Sequence, residues 1–234
     1  MAAPEGPGPP AGPPSGPPPL SEGAAPSPAP TEVILSRGAI EGEISWEALF
    51  GRRAPVELEI GSGKGRFLAE HAAAHPDRDL LGVEWGGKWV RRAAQRLAKA
   101  GVGNARLLRA DAKDLLARLV PARSLAAIHV YFPDPWPKRR HRKRRLFDPT
   151  LPPLLARCLA TGGELHVASD HEEYFEEIAA LLHAAAGLRR AEGRTTAGAR
   201  LSSFGIKYAA SGRSLREAVW VSDETPSPAG RAAP

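Results

Sequence analysis

Cys158 is the only cysteine in the chain, which excludes an internal disulfide framework and any cysteine-based metal cluster and suits a reducing compartment. It reads as an ordinary buried thiol. No run of apolar residues approaches the length that crosses a bilayer. The opening stretch, MAAPEGPGPPAGPPSGPPPL, has neither a basic start nor an apolar signal-peptide core. A soluble, cytoplasmic protein with no membrane partner is therefore expected. His129, His141 and His166 lack the spacing of metal ligands, so no metal is expected either. No internal repeat is present.

Residues 1–31 and the tail from Ser222 are too rich in Pro and Gly to bury a core and are expected to be disordered, the first with polyproline II character. That leaves 32–221 as a single domain, and 42% apolar residues in 234 are enough for one full core. The net charge is +6, and seven Lys/Arg fall within 138–145, so the rest of the chain carries −1. The basicity reads as one local patch, of the kind that meets a polyanion, most often nucleic acid.

Between the ends, strand and helix signals alternate. VELEI (56–60) runs into the turn GSGKG, and RFLAEHAAAH (66–75) follows as a helix closed by Pro76. Further strands are expected at 80–85, 105–111, 125–132, 163–170 and 214–220. Helices are expected at 87–101, ended by Gly101, and at 171–187, capped by Asp170. Repeated βα units imply an α/β fold, a mostly parallel sheet with helices on both faces, whose ligands sit at the carboxyl ends of the strands.

Those ends carry acids. Gly61, Gly63 and Gly65 permit a tight turn and close approach of a ligand, but Arg66 stands where a dinucleotide fingerprint needs its third glycine. Glu59, just before the turn, suits a cationic ligand better than a pyrophosphate. Glu84, 25 residues on, stands where a carboxylate accepts the two hydroxyls of a ribose, and Asp111 where an adenine amino group can be held. Together they describe an adenosine with positive charge, and S-adenosylmethionine fits.

SWEALFGRRAPVELEIGSGKGRFL, GVEW, ADA, FPDPWPKRRHRKRRL and ASDHEEYFEEI, in this order, resemble the bacterial tRNA (guanine-N7-)-methyltransferase family over about residues 45–221. The Pro-Asp-Pro-Trp motif with its following Lys/Arg block is the specific part. The resemblance implies a Rossmann-like S-adenosylmethionine-dependent methyltransferase fold with a seven-stranded sheet. It implies methylation of N7 of the guanosine at position 46 in the tRNA variable loop. It assigns Glu59, Gly61, Gly63, Glu84, Asp111 and Asp134 to the donor or reaction centre, with Asp134 catalytic. Lys138, Arg139, Arg140, Arg142 and Asp170 fall to tRNA and target-base binding, together with the stretch Ser202, Ser203, Phe204 and Gly205.

The chemistry agrees. Neutral guanine carries a lone pair and no proton at N7, so attack on a sulfonium methyl needs no general base; the enzyme has to align base and donor and stabilise charge moving onto the purine. Asp134, fixed between prolines, suits that task. Trp136 is equally suited to stacking on a base or packing under the loop. The basic run reads as a flexible arm that grips phosphates. One departure stands out: SSFGIKY (202–208) replaces the family's Thr-Lys-Phe-Glu motif, with Gly205 where the glutamate belongs. A carboxylate suits the N1/N2 donor edge of guanine. Its loss leaves open a different target nucleotide, or an RNA-binding protein without catalysis on the same fold.

Overall fold

The computed structural model describes residues 33–35, 40, 42–211 and 214–223. The expected N-terminal arm lies outside them, as does the tail beyond Asp223. The elements are β1 (Ile34–Leu35), α1 (Trp46–Phe50), β2 (Val56–Ile60), α2 (Arg66–Ala74), β3 (Asp79–Glu84), α3 (Gly87–Ala100), β4 (Ala105–Arg109), α4 (Ala112–Arg118) and β5 (Leu125–Tyr131). After a 3-10 turn (Arg139–Arg144) come α5 (Leu151–Cys158), β6 (Leu159–Ser169), α6 (Glu172–His183) and β7 (Leu188–Arg190). A second 3-10 turn (Ala197–Leu201), α7 (Ser203–Ala210) and β8 (Arg216–Ser222) complete the order.

One sheet takes all eight strands, in the order β1-β4-β3-β2-β5-β6-β8-β7. Pairing is parallel from β1 through β6 and antiparallel where β8 meets β6 and β7. The expected mixed α/β architecture is therefore present, with one strand more than expected. The two edge strands, β1 and β7, match none of the expected segments: β1 is a two-residue pairing of Ile34 and Leu35 with Leu107 and Leu108, and β7 has three residues, both too short to have a period. The C-terminal boundary also moves: Ser222, expected in the tail, is buried in β8 and pairs with Leu188.

Alternation along β2 decides the layers. Val56, Leu58 and Ile60 face the larger apolar cluster, which includes side chains of α4, α5 and α6, and which buries Cys158. On the other face, α2 and α3 pack through Leu68, Ala72, Val90, Ala93 and Leu97 against Leu80 and Leu107. Helix α3 fits so closely that a Cβ on Gly65 would stand 2.7 Å from the Ala93 Cβ, while Gly101 ends it in the left-handed conformation. The chain order reverses at β2, whose neighbours are β3 and β5. That reversal opens a crevice at the carboxyl ends of these strands.

Candidate active site

A cleft of about 630 Å³ occupies that crevice, a volume in the range of small-molecule sites. Its walls bring together Glu59, Gly61, Gly63, Glu84, Asp111, Asp134, Ser202, Ser203 and Phe204 from the sequence reading. Glu59 faces it from the end of β2 and is 5% exposed. Its Oε2 is buried with no hydrogen-bond partner among the described residues. Burial pushes this carboxyl up to about 8; a hydrogen bond from Ser62 opposes the rise and the charge of Glu84 adds to it. An unpartnered buried carboxyl oxygen is costly, and a cationic group placed against it would remove that cost.

Glu84 is fixed by the glycine turn it faces. Gly63 N–H donates to its Oε2 at 3.0 Å and Gly86 N–H to its Oε1 at 2.7 Å. Gly61 and Gly63 adopt φ of +80° and +51°, a region costly for any side chain with a Cβ, and the turn so formed aims the Gly63 N–H at the carboxylate. Asp111 is the N-cap of α4, its Oδ1 accepting from the N–H groups of Lys113 and Asp114. It caps a helix and lines the cleft at once.

Asp134 is exposed at the cleft, within Phe132-Pro133-Asp134-Pro135-Trp136. Phe132 and Trp136 take positive φ, 54° and 39°, conformations that cost a non-glycine residue about 1–3 kcal/mol each. Three contacts hold the corner. Phe132 N–H donates to Ala168 O at 2.8 Å, Arg145 Nε to Pro135 O at 2.7 Å, and the Arg144 guanidinium lies 5.1 Å from the centre of the Trp136 ring. Trp136 lines the cleft and packs in the loop with that cation over it.

The basic run is not a free arm. It coils into the 3-10 turn, and its members have different partners. Arg142 pairs with Glu173 and Glu177 on α6; Arg145 is buried, pairs with Glu177 and stacks 4.5 Å over Tyr174. Lys138, Arg139 and Arg140 are exposed and outside the cleft, whereas Arg144 lines it. Asp170 departs from its reading as a helix cap, and it lies apart from the cleft. The N-cap of α6 is His171, whose Nδ1 accepts from Tyr174 N–H, and Asp170 lines a separate hollow of about 350 Å³ with Glu172, Ser214 and Arg216. The side chain one position on has an acceptor at the reach the first free amide needs.

At 202–205 the backbone leaves no room for a glutamate at position 205. Gly205 packs on the second 3-10 turn so tightly that a Cβ would stand 2.0 Å from Ala199 O and 3.0 Å from Arg200 Cα. No longer side chain fits there without moving backbone. Gly205 therefore does not line the cleft, and its N–H is capped by the Ser202 hydroxyl at 2.9 Å. Phe204, half exposed, and Lys207 face the cleft instead.

Sequence spacing missed a polar row on the α2 face of the sheet. Glu57 Oε2 lies 2.8 Å from both His71 Nε2 and His129 Nε2, and Arg78 holds the other oxygen at 2.5 Å. His129 Nδ1 meets the Tyr131 hydroxyl at 2.9 Å, which carries the row to the cleft wall. The hydrogen bonds of the two imidazoles hold Glu57 well below the usual carboxylate range against its burial. Burial keeps His129 low, and His166, stacked on it at 4.8 Å, is pushed down to about 3. The ligating atoms of Glu57, His71 and His129 lie within 4.8 Å of one another. With protons on Nε2 both imidazoles donate to Glu57, and Arg78 balances its charge. Trp85, Trp89 and Lys64 also line the cleft unforeseen. The position of Trp85, immediately after Glu84 at a strand end, was a usable signal.

Residues 53–220 match the family model Methyltransf_4, described as "Putative methyltransferase". A protein of Nocardia farcinica, named tRNA (guanine-N(7)-)-methyltransferase, is 42% identical over 187 residues, covering 74% of this chain and 70% of that protein. A protein of the same name from Nitrosococcus oceani is 39% identical, with coverage of 76% and 75%. Another from Chromohalobacter salexigens is 41% identical over 66% of this chain, which spans 63% of that relative's length. Among solved structures, the 16S rRNA methyltransferase KamB superposes with a TM-score of 0.57 at 20% identity, over 76% of this chain and 93% of that one. That likeness is one of fold.

Proposed function

We propose, on the premise that this chain belongs to the tRNA (guanine-N(7)-)-methyltransferase family, that it transfers a methyl group from S-adenosylmethionine to guanine N7 of tRNA, at position 46 of the variable loop. The observation that carries this reading is the convergence of Glu59, Glu84, Asp111 and Asp134 on one cleft at the reversal of the sheet. The donor set fits the methyl donor. The orphaned Glu59 oxygen suits its amino group, the fixed Glu84 carboxylate suits two ribose hydroxyls, and Asp111 suits the adenine amino group.

When bound, the donor supplies a sulfonium methyl: the S–CH₃ bond breaks as the N7–CH₃ bond forms, the sulfur keeps the electron pair, and the positive charge moves to the purine. No proton is removed from N7. Asp134, held in the proline corner, faces that developing charge and stabilises it electrostatically. Trp136 and Phe204 offer aromatic surface to a base drawn out of its stack. Lys138, Arg139 and Arg140 meet phosphates.

The test is transfer of labelled methyl from S-adenosylmethionine to bulk unmodified tRNA, followed by mapping of the methylated nucleotide. Label at N7 of guanosine 46 is expected. A chain that binds tRNA yet transfers no methyl refutes the reading, and label elsewhere refutes the target.

A further inference from the structure

We propose that the outer face of α3 is a second surface for the RNA backbone, so that the substrate lies across α3 and the 138–145 turn with the cleft between them. This rests on the reading of the chain as a tRNA methyltransferase. Helix α3 carries Lys88, Arg91, Arg92, Arg96 and Lys99 and not one acid. Its buried side is Val90, Ala93, Ala94 and Leu97, which leaves the cations outward. Among the described residues, none of them has a carboxylate partner; Arg96 donates to the Lys64 carbonyl at 3.1 Å. The 138–145 turn differs, since Arg142 and Arg145 are taken by Glu173 and Glu177.

The charges gather near the cleft mouth. Lys64 Nζ, Lys88 Nζ and Arg92 Cζ lie 5.9, 5.7 and 5.3 Å from the centre of the Trp89 ring, itself a wall of the cleft. Three cations gathered around one indole repel one another, at separations no greater than roughly the Debye length of 10 Å at 0.1 M salt, where screening is incomplete. A polyanion relieves that repulsion and gains from it. From Lys88 to Lys99 the helix advances about 16 Å, long enough to follow several phosphates. Because β3 and β5 are the two neighbours of β2, the helix after β3 and the turn after β5 stand on either side of the cleft. An RNA with one base in the cleft passes over both.

Arg91 and Lys99 lie outside the cleft and test the surface without touching it. Binding of transcribed, unmodified tRNA to the full chain is measured from 50 to 200 mM salt for the wild type and for the double variant Arg91→Gln, Lys99→Gln. At about 0.7–0.9 counterions per phosphate contact, the slope of log affinity against log salt is expected to flatten by about 1.5, with the melting temperature unchanged. An unchanged slope overturns the α3 surface and leaves the methyl-transfer reading intact. A flattened slope in a protein whose wild type transfers no methyl supports the surface and refutes the reaction.

Discussion

Assigned, as proposed, to the amino group of the donor, Glu59 makes donor binding a proton-coupled event of predictable size. With its carboxyl pushed up to about 8, about one molecule in ten is ionised at pH 7 and about one in a hundred at pH 6. A cationic amino group placed against the orphaned Oε2 binds the ionised form, so each association below pH 8 expels a proton. Apparent affinity then rises about 50-fold from pH 6 to pH 8, about 2.3 kcal/mol, and levels off above. S-adenosylhomocysteine is the ligand of choice, because it keeps the amino group and lacks the sulfonium charge. Calorimetry in two buffers of different ionisation enthalpy reads the proton count directly, and about 0.9 released per ligand at pH 7 is expected. Glu59→Gln should bind weakly and with no pH dependence over that range. Flat wild-type affinity with no proton release refutes the assignment of Glu59 to a cation.

The remaining expectations follow from single contacts. Asp134→Asn should lower turnover about 10²- to 10³-fold, the usual cost of removing one electrostatic stabiliser, and keep tRNA affinity; equal turnover removes Asp134 from the chemistry. Arg145→Gln loses the Glu177 pair and the Pro135 bond and should cost about 1.5–3 kcal/mol in chemical denaturation, whereas exposed Lys143→Gln should cost under about 0.5. Gly205→Ala, against the Ala199 carbonyl, should cost about 1–3 kcal/mol, and an unchanged melting temperature contradicts that packing. Stability should peak near pH 6.5. Below it the lowered His129 and His166 bind protons only when unfolded, so stability is lost as pH falls; above it the raised Glu59 keeps its proton only when folded, so stability declines towards pH 8. Denaturation of Glu59→Gln should show no decline between pH 6.5 and 8, and a surviving decline there assigns it to another group.

What was legible in the sequence is what one strand or one turn carries alone. The apolar runs of β2, β3 and β5, the glycine turn and the acids beside it need no partner to be recognised, and they fix the sheet reversal and the cleft. Features made by contact between distant segments were invisible. Glu57, His71 and His129 meet only because β2, α2 and β5 stack side by side. Gly205, read from the sequence as standing where a base-reading glutamate belongs, also packs closely on the 3-10 turn ahead of it, a contact invisible in the sequence. Summation along the chain found the contiguous run at 138–145, while the cations of α3 are spread at helical spacing, where a local count shows no block but one face of the helix collects them.

The contiguous run divides structurally into two parts. Its first residues, Lys138, Arg139 and Arg140, face outward. Its last two fold back, Arg145 onto Pro135 O and Glu177, Arg144 over Trp136. Those contacts offset the cost of two left-handed non-glycine residues in the corner that presents Asp134. Prolines restrict φ at their own positions and bias the residue before, but they do not place Phe132 and Trp136 at positive φ. Tertiary contacts must do that, and the adjacent run provides them. Arg144 and Arg145 are therefore tied to the corner, whereas the exposed side chains of Lys138 and Arg139 make no hydrogen bond or ion pair with it among the described residues. The order of cations along the run thus separates exposed side chains from those whose contacts hold the corner that presents Asp134.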